Sequence, residues 1–202
     1  MFQPRLVGGF FARFVVYFLL LMFAWQGVAK PYGAYFRFFA NTVFGKFGTH
    51  GEVRFEPIEG EISSVEADTQ LLFKNRRTGA EAANRGRSGF TGYQPTAFVI
   101  ALILSTPIRW SRRLKSLGWG LLLVHAFIGL RILILLLGAF SNPVLGLFEL
   151  GAVGEKALGF ADWVLVKSFA GSYAMPVGIW FLATFRRSDW AVVFKAPSKT
   201  AK

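Results

Sequence analysis

Two histidines, one arginine in an apolar stretch and a few carboxylates are the side chains here with chemistry to offer. His125 and Arg131 lie in GLLLVHAFIGLRILILLLGAF. On a helix their separation is about 120° of rotation and about 9 Å of rise, so each needs its own partner. A guanidinium within a membrane span costs roughly 2.5–3.5 kcal/mol on insertion scales and usually turns to a bundle interior or a polar cavity. Arg131 is therefore the first candidate for an intramembrane polar pocket; the competing reading is a side chain that snorkels to headgroups or meets a helix dipole. His125, near mid-membrane, is expected to hydrogen-bond between helices and is the pocket's second candidate. His50, in THG, reads as an exposed turn residue. Glu56, Glu59 and Glu61 could suggest calcium, but they lack the spacing of a calcium loop and fit a solvated hairpin face.

The 202 residues include no cysteine, which excludes a thiol nucleophile, thiolate metal ligands and a disulfide framework. No phosphate loop, dinucleotide fingerprint or zinc-binding His pair appears, so no cofactor and no metal site is expected. The net charge of +12 could mean nucleic acid, but 53% hydrophobic residues and 23 Phe make membrane lipid the expected partner, with no nucleic acid.

About 20 apolar residues are needed to cross the hydrocarbon core as a helix. Four stretches are read as spans: 11–29, 91–108, 117–140 and 163–185. Basic residues set their direction. Arg5 and Arg13, the run Arg109 to Lys115, and Arg186, Arg187 and the basic tail all fall on one side of a four-span arrangement, which puts both termini inside. The expected fold is thus an all-α integral membrane protein with four transmembrane helices and a small β-rich extracytoplasmic insertion. Its parts are an N-terminal helix (1–29), an extracytoplasmic segment (30–90), a three-helix region (91–187) and a basic cytoplasmic tail (188–202). Residues 1–29 also have the make-up of a signal peptide, although the apolar part is long for one; a retained helix is the expectation.

Within 30–90, Tyr32, Tyr35, Phe36, Phe38, Phe39, Phe44 and Phe47 recur at helical spacing. They imply an amphipathic helix in the headgroup layer or one packed on the bundle. Val53, Phe55, Ile58, Ile62 and Val65 then alternate with polar residues around a turn at Pro57–Gly60. With Thr69 to Phe73 they make two or three short antiparallel strands. Residues 75–90 are polar and Gly-rich and are expected to be mobile.

The run from Phe90 to Phe140 resembles the exosortase/archaeosortase family of membrane transpeptidases. That pattern has a Cys-x-Gly-like motif heading a helix, a proline near its inner end, a basic inner loop, a long helix carrying Asn-x-x-Arg-Ile, and a later His. Gly92 matches the motif glycine, Pro107 the proline, Arg109 to Lys115 the basic loop, and Arg131 with Ile132 the second motif. Phe90 stands where the family has its nucleophilic Cys, Ile128 where it has Asn, and no His follows residue 125. Attack on a peptide carbonyl needs a nucleophile and a positioned base, and Phe90 is neither. Ser88 and Thr91 are nearby hydroxyls without one.

The resemblance therefore implies a non-catalytic relative, a pseudoenzyme similar to the exosortase H-associated membrane proteins of bacterial inner membranes. Such a protein would associate with an exosortase-family protein, or with the transmembrane tail of a sorted substrate. Two alternatives stay open. One is a membrane peptidase or transpeptidase with an altered nucleophile, using Thr91 or an acid such as Glu149 or Glu155, with Lys156 beside it. The other is a small carrier or channel component with His125 and Arg131 along its path.

Overall fold

The computed structural model describes residues 4–58 and 67–185. The chain opens with α1 (Pro4–Phe44), a single helix of 41 residues. At 1.5 Å per residue it is about 60 Å long, twice the hydrocarbon thickness of a bilayer. A span ending near Ala29 and a separate amphipathic segment over 30–48 are thus corrected: both belong to one helix as far as Phe44, and Pro31 lies inside it. Proline removes a helical hydrogen bond and crowds the carbonyl four residues back, here Gly27. The helix continues because Trp25, Ala29, Gly33, Phe36 and Ala40 form one buried stripe at helical spacing across the proline.

The last turns of α1 carry a four-stranded antiparallel sheet: β1 (Lys46–Phe47), β2 (Gly51–Pro57), β3 (Thr69–Asn75) and β4 (Glu81–Gly86), in that spatial order. Alternation sends Val53 and Phe55 of β2 and Leu71 and Phe73 of β3 to one face. That face packs on Phe36 and Ala40 of α1 and on Ile128, Ile132, Leu136 and Phe140 further along the chain. Asn41 on α1 completes the ladder where the two-residue β1 ends: its Nδ2 donates to the Phe55 carbonyl and its Oδ1 accepts from the Phe55 amide, both at 2.9 Å. On the open face Glu52 accepts from Arg76 and Arg54, which hold its carboxyl below the usual carboxylate range. The expected mobile segment 75–90 instead contains a turn and β4, and the sheet has four strands rather than two or three. Glu59, Glu61, Ile62, Val65 and the second half of the Pro57–Gly60 turn lie outside the described residues.

After the sheet come a π-helical turn (Gly89–Tyr93), α2 (Gln94–Ser105), α3 (Trp110–Ser141) and α4 (Ala152–Ala161). A second π-helical turn (Asp162–Lys167) leads into α5 (Phe169–Thr184). Ring and side-chain contacts set the directions. Phe98 of α2 packs on Phe14 and Phe18, while Tyr93 donates to the Leu21 carbonyl, so α2 runs antiparallel to α1. Val99 and Ile103 of α2, Val124 and Phe127 of α3 and Ile179 of α5 form the core between helices. Gly120 permits that approach, since a Cβ there would meet Ile103 at 2.6 Å.

Four transmembrane helices are not what folds. Among the described residues α1 and α3 are the two helices long and apolar enough to cross a membrane, in keeping with a membrane location. The stretch Gly89–Ser105, expected as the second span over 91–108, is about 25 Å long, short of the core thickness, and Thr106 leaves it in extended geometry. The expected fourth span over 163–185 is not one straight helix: Ala152–Lys167 and Gly171–Thr184 meet at 81°. At most the bent pair counts as a third span. Arg186, Arg187 and the tail 188–202, on which the inside position of the C-terminus rested, lie outside the described residues, as does the side chain of Arg5.

Candidate functional site: a buried arginine between two π-helical turns

Arg131 is the largest fully buried side chain among the described residues, 1% exposed. Helix α3 brings it level with the heads of α2 and α5, where both chains are wound as π-helical turns. A π turn bonds residue i to i+5, which re-aims carbonyls at its ends away from the α ladder. Those carbonyls receive the guanidinium. Nη1 donates to the Phe90 and Thr91 carbonyls at 3.4 and 3.3 Å, and Nη2 donates to the Val166 carbonyl at 3.0 Å. The Phe90 and Phe127 rings approach the cation, 5.2 and 5.7 Å from centroid to Cζ. Ring faces and carbonyl dipoles thus stabilise a charge that has no carboxylate in ion-pair reach among the described residues.

The first turn is itself tightly seated. Ser88 precedes it, and the buried Asp68, just before β3, accepts from the Ser88 amide at 2.7 Å and from its hydroxyl. Gly89 lies against Trp25, where a Cβ would come within 2.8 Å of the indole, and Gly92 against Tyr32, where it would come within 2.5 Å of the hydroxyl. Only residues without a Cβ allow both approaches. On the opposite side, Ser168 caps α5 by accepting from the Gly171 amide at 2.9 Å.

His125 is elsewhere. Its Nδ1 lies 2.7 Å from the Leu121 carbonyl, which can only accept, so Nδ1 donates; Nε2 then accepts from the Tyr35 hydroxyl, also at 2.7 Å. Tyr35 and Phe39 of α1 flank its ring. Arg131 and His125 therefore occupy different faces of α3 and form no common pocket. Phe90, expected from the resemblance to stand at a nucleophile position, touches Arg131 through both its carbonyl and its ring. Glu149 is exposed after α3, and Glu155 lines a groove between α3 and α4; neither ion-pairs with Arg131. His50 is in an exposed turn. No group of three His, Cys, Asp or Glu side chains able to hold a metal ion occurs among the described residues.

The basic loop has a role that its charge alone did not reveal. Arg113 Nη2 donates to the Thr106 carbonyl at 3.0 Å, and Arg112 Nη2 to the Thr184 carbonyl at 2.8 Å. These carbonyls end α2 and α5, where cations are favoured by both hydrogen bonding and the helix dipole. The Asp68–Ser88 contact was likewise missed. Ser88 donates to Asp68 instead of capping the turn, and a partner twenty positions earlier leaves no local mark in the sequence. Comparison with protein-family models, with curated proteins and with solved structures finds no match.

Proposed function

We propose that this chain is a non-catalytic accessory of an exosortase-type protein-sorting system. It resides in the bacterial inner membrane, crosses it more than once with both termini in the cytoplasm, and associates with an exosortase-family protein or with the transmembrane tail of a sorted substrate. The observation that carries the reading is the filling of the space around Arg131. Phe90 takes the position of the nucleophile and lays its ring and carbonyl against the guanidinium. His125, the nearest base by sequence, spends both ring nitrogens on Tyr35 and Leu121. An arginine used in this way fixes backbone and leaves no nucleophile–base pair to work with. This also weighs against the altered-nucleophile alternative, while the separate faces of His125 and Arg131 weigh against a shared conduction path.

The test is co-expression with the exosortase-family protein of the same genome. The chain should co-purify with it in mild detergent, and deleting the chain should lower the yield of sorted substrate at the cell surface. Purification of the chain alone together with unchanged sorting would overturn the reading.

A further inference from the structure

The bent segment Ala152–Lys167 has two distinct sides. Glu155, Leu158, Gly159, Asp162 and Val166, at helical spacing, line a groove against Ile134, Leu135 and Gly138 of α3. The other side is uncovered and mostly apolar: Val153 is 82% exposed, Phe160 67% and Trp163 63%, and the exposed Lys156 lies between the last two, where its long stem lets the ammonium reach the headgroups. Seven residues fall only about 20° short of two full turns, so Val153 and Phe160 stand on one line. No residue of α4 is buried.

We infer that Ala152–Lys167 is an interfacial helix lying in the headgroup layer of the leaflet nearest the sheet, with Val153, Phe160 and Trp163 toward the acyl chains. Three observations converge on this occupant. The segment lies at 81° to Gly171–Thr184, so it runs along the membrane plane when α5 stands along the normal. It joins α5 at the level of Arg131, about 28 Å along α3 from Arg112, which is close to one hydrocarbon thickness. Its uncovered residues also include a tryptophan, the residue type that anchors at this depth. The carboxylates Glu155 and Asp162 face the groove, away from the lipid side. Lys167 pairs with Asp162 at 2.6 Å, and Glu155 balances Lys156, so the segment carries no net charge. Binding then rests on the apolar side and needs no anionic lipid. This inference is independent of the proposed sorting role.

The native chain lacks cysteine, so single cysteines can be spin-labelled without background. Labels at Val153, Glu155, Phe160 and Asp162, in the full chain in phosphatidylcholine vesicles, would be compared for collision with oxygen and with a nickel chelate. The expected ratio of oxygen to nickel accessibility peaks at 153 and 160 and dips at 155 and 162, at least threefold, and is unchanged by adding phosphatidylglycerol. Ratios that deepen steadily from 153 to 162 would mean a descending span, and uniformly high nickel accessibility a helix in water. Immobilised labels at 153 and 160 shielded from both reagents would mean a protein partner. Each of these three results overturns the inference. A label at the exposed Glu81 of β4, which should stay nickel-accessible, confirms that the vesicles are sampled from the sheet side.

Discussion

Arg131 and Arg112, on the same helix, hold the two ends of α5: Arg131 donates to the Val166 carbonyl just before its head, and Arg112 donates to the Thr184 carbonyl at its foot. Arg113 and Arg131 do the same for α2, through Thr106 below and Phe90 and Thr91 above. Helix α3 thereby works as a clamp on two neighbours too short or too bent to stand as straight spans. Charged donors are spent on backbone carbonyls at both levels, where a bare acceptor would be costly in lipid.

Removing the upper jaw should be the more damaging change. Arg131→Leu leaves three carbonyls without their donor, at about 1–3 kcal/mol for each buried acceptor, offset in part by relief of a buried charge. The expected outcome is a melting temperature in detergent lower by several degrees. Arg131→Lys should restore little, because one ammonium cannot span both π turns as a guanidinium does. Equal melting of all three proteins would show that the side chain carries no structural load.

The lower jaw should separate by partner. Arg112→Ala should speed amide exchange in the last turn of α5 and leave α2 unchanged, whereas Arg113→Ala should do the reverse, each at a cost of about 1 kcal/mol. Hydrogen exchange read by mass spectrometry distinguishes the two. A crossed or uniform response would contradict the assignment of one arginine to each helix.

Introducing a thiol should not create chemistry. Phe90→Cys places a thiol beside Arg131 but brings no imidazole, because His125 faces α1. Incubation with a peptide of a sorted tail should give neither cleavage nor an acyl-enzyme by mass spectrometry. The variant should also lose about 0.5–2 kcal/mol with the ring that lies against the cation. A covalent adduct would overturn the proposed non-catalytic role.

Acid should loosen the sheet through Glu52. Arg76 and Arg54 lower its folded pKa. Their contribution is therefore complete above the unfolded value of about 4.3 and disappears as pH falls through the folded one. Glu52→Gln should be slightly less stable at pH 7 and should flatten the stability profile below pH 4.5. An identical acid profile in both proteins would rule out this ion cluster as its source.

How far the sequence disclosed this arrangement varies with the kind of signal. Helix α3 and the alternation of β2 and β3 were legible because their apolar residues repeat at one clear period. β4 was not, since EAANRG is an edge strand whose order comes from pairing with β3 rather than from burial. Pro31 and Gly33 are of types that disfavour a helix interior; the buried stripe from Trp25 to Ala40 overrides them, and only tertiary packing supplies that stripe. Burial of Arg131 was anticipated from the cost of charge in lipid, but its acceptors were not. Backbone carbonyls have no letter in the sequence, and π turns carry no reliable periodic mark. The separation of His125 and Arg131 was legible in the rotation between them, which sends one ring to Tyr35 and the other side chain to Val166, so the two candidates share no pocket.

The unbroken α1 has a mechanical corollary. One continuous helix runs from the apolar stretch at its first turns to the sheet at its last. A lean of about 10° at the root would carry the far end sideways by about 10 Å, given a length near 60 Å. Any neighbour that tips this helix within the lipid therefore also swings the strands, with Pro31, where a helical hydrogen bond is missing, as the point between them that would absorb part of the motion.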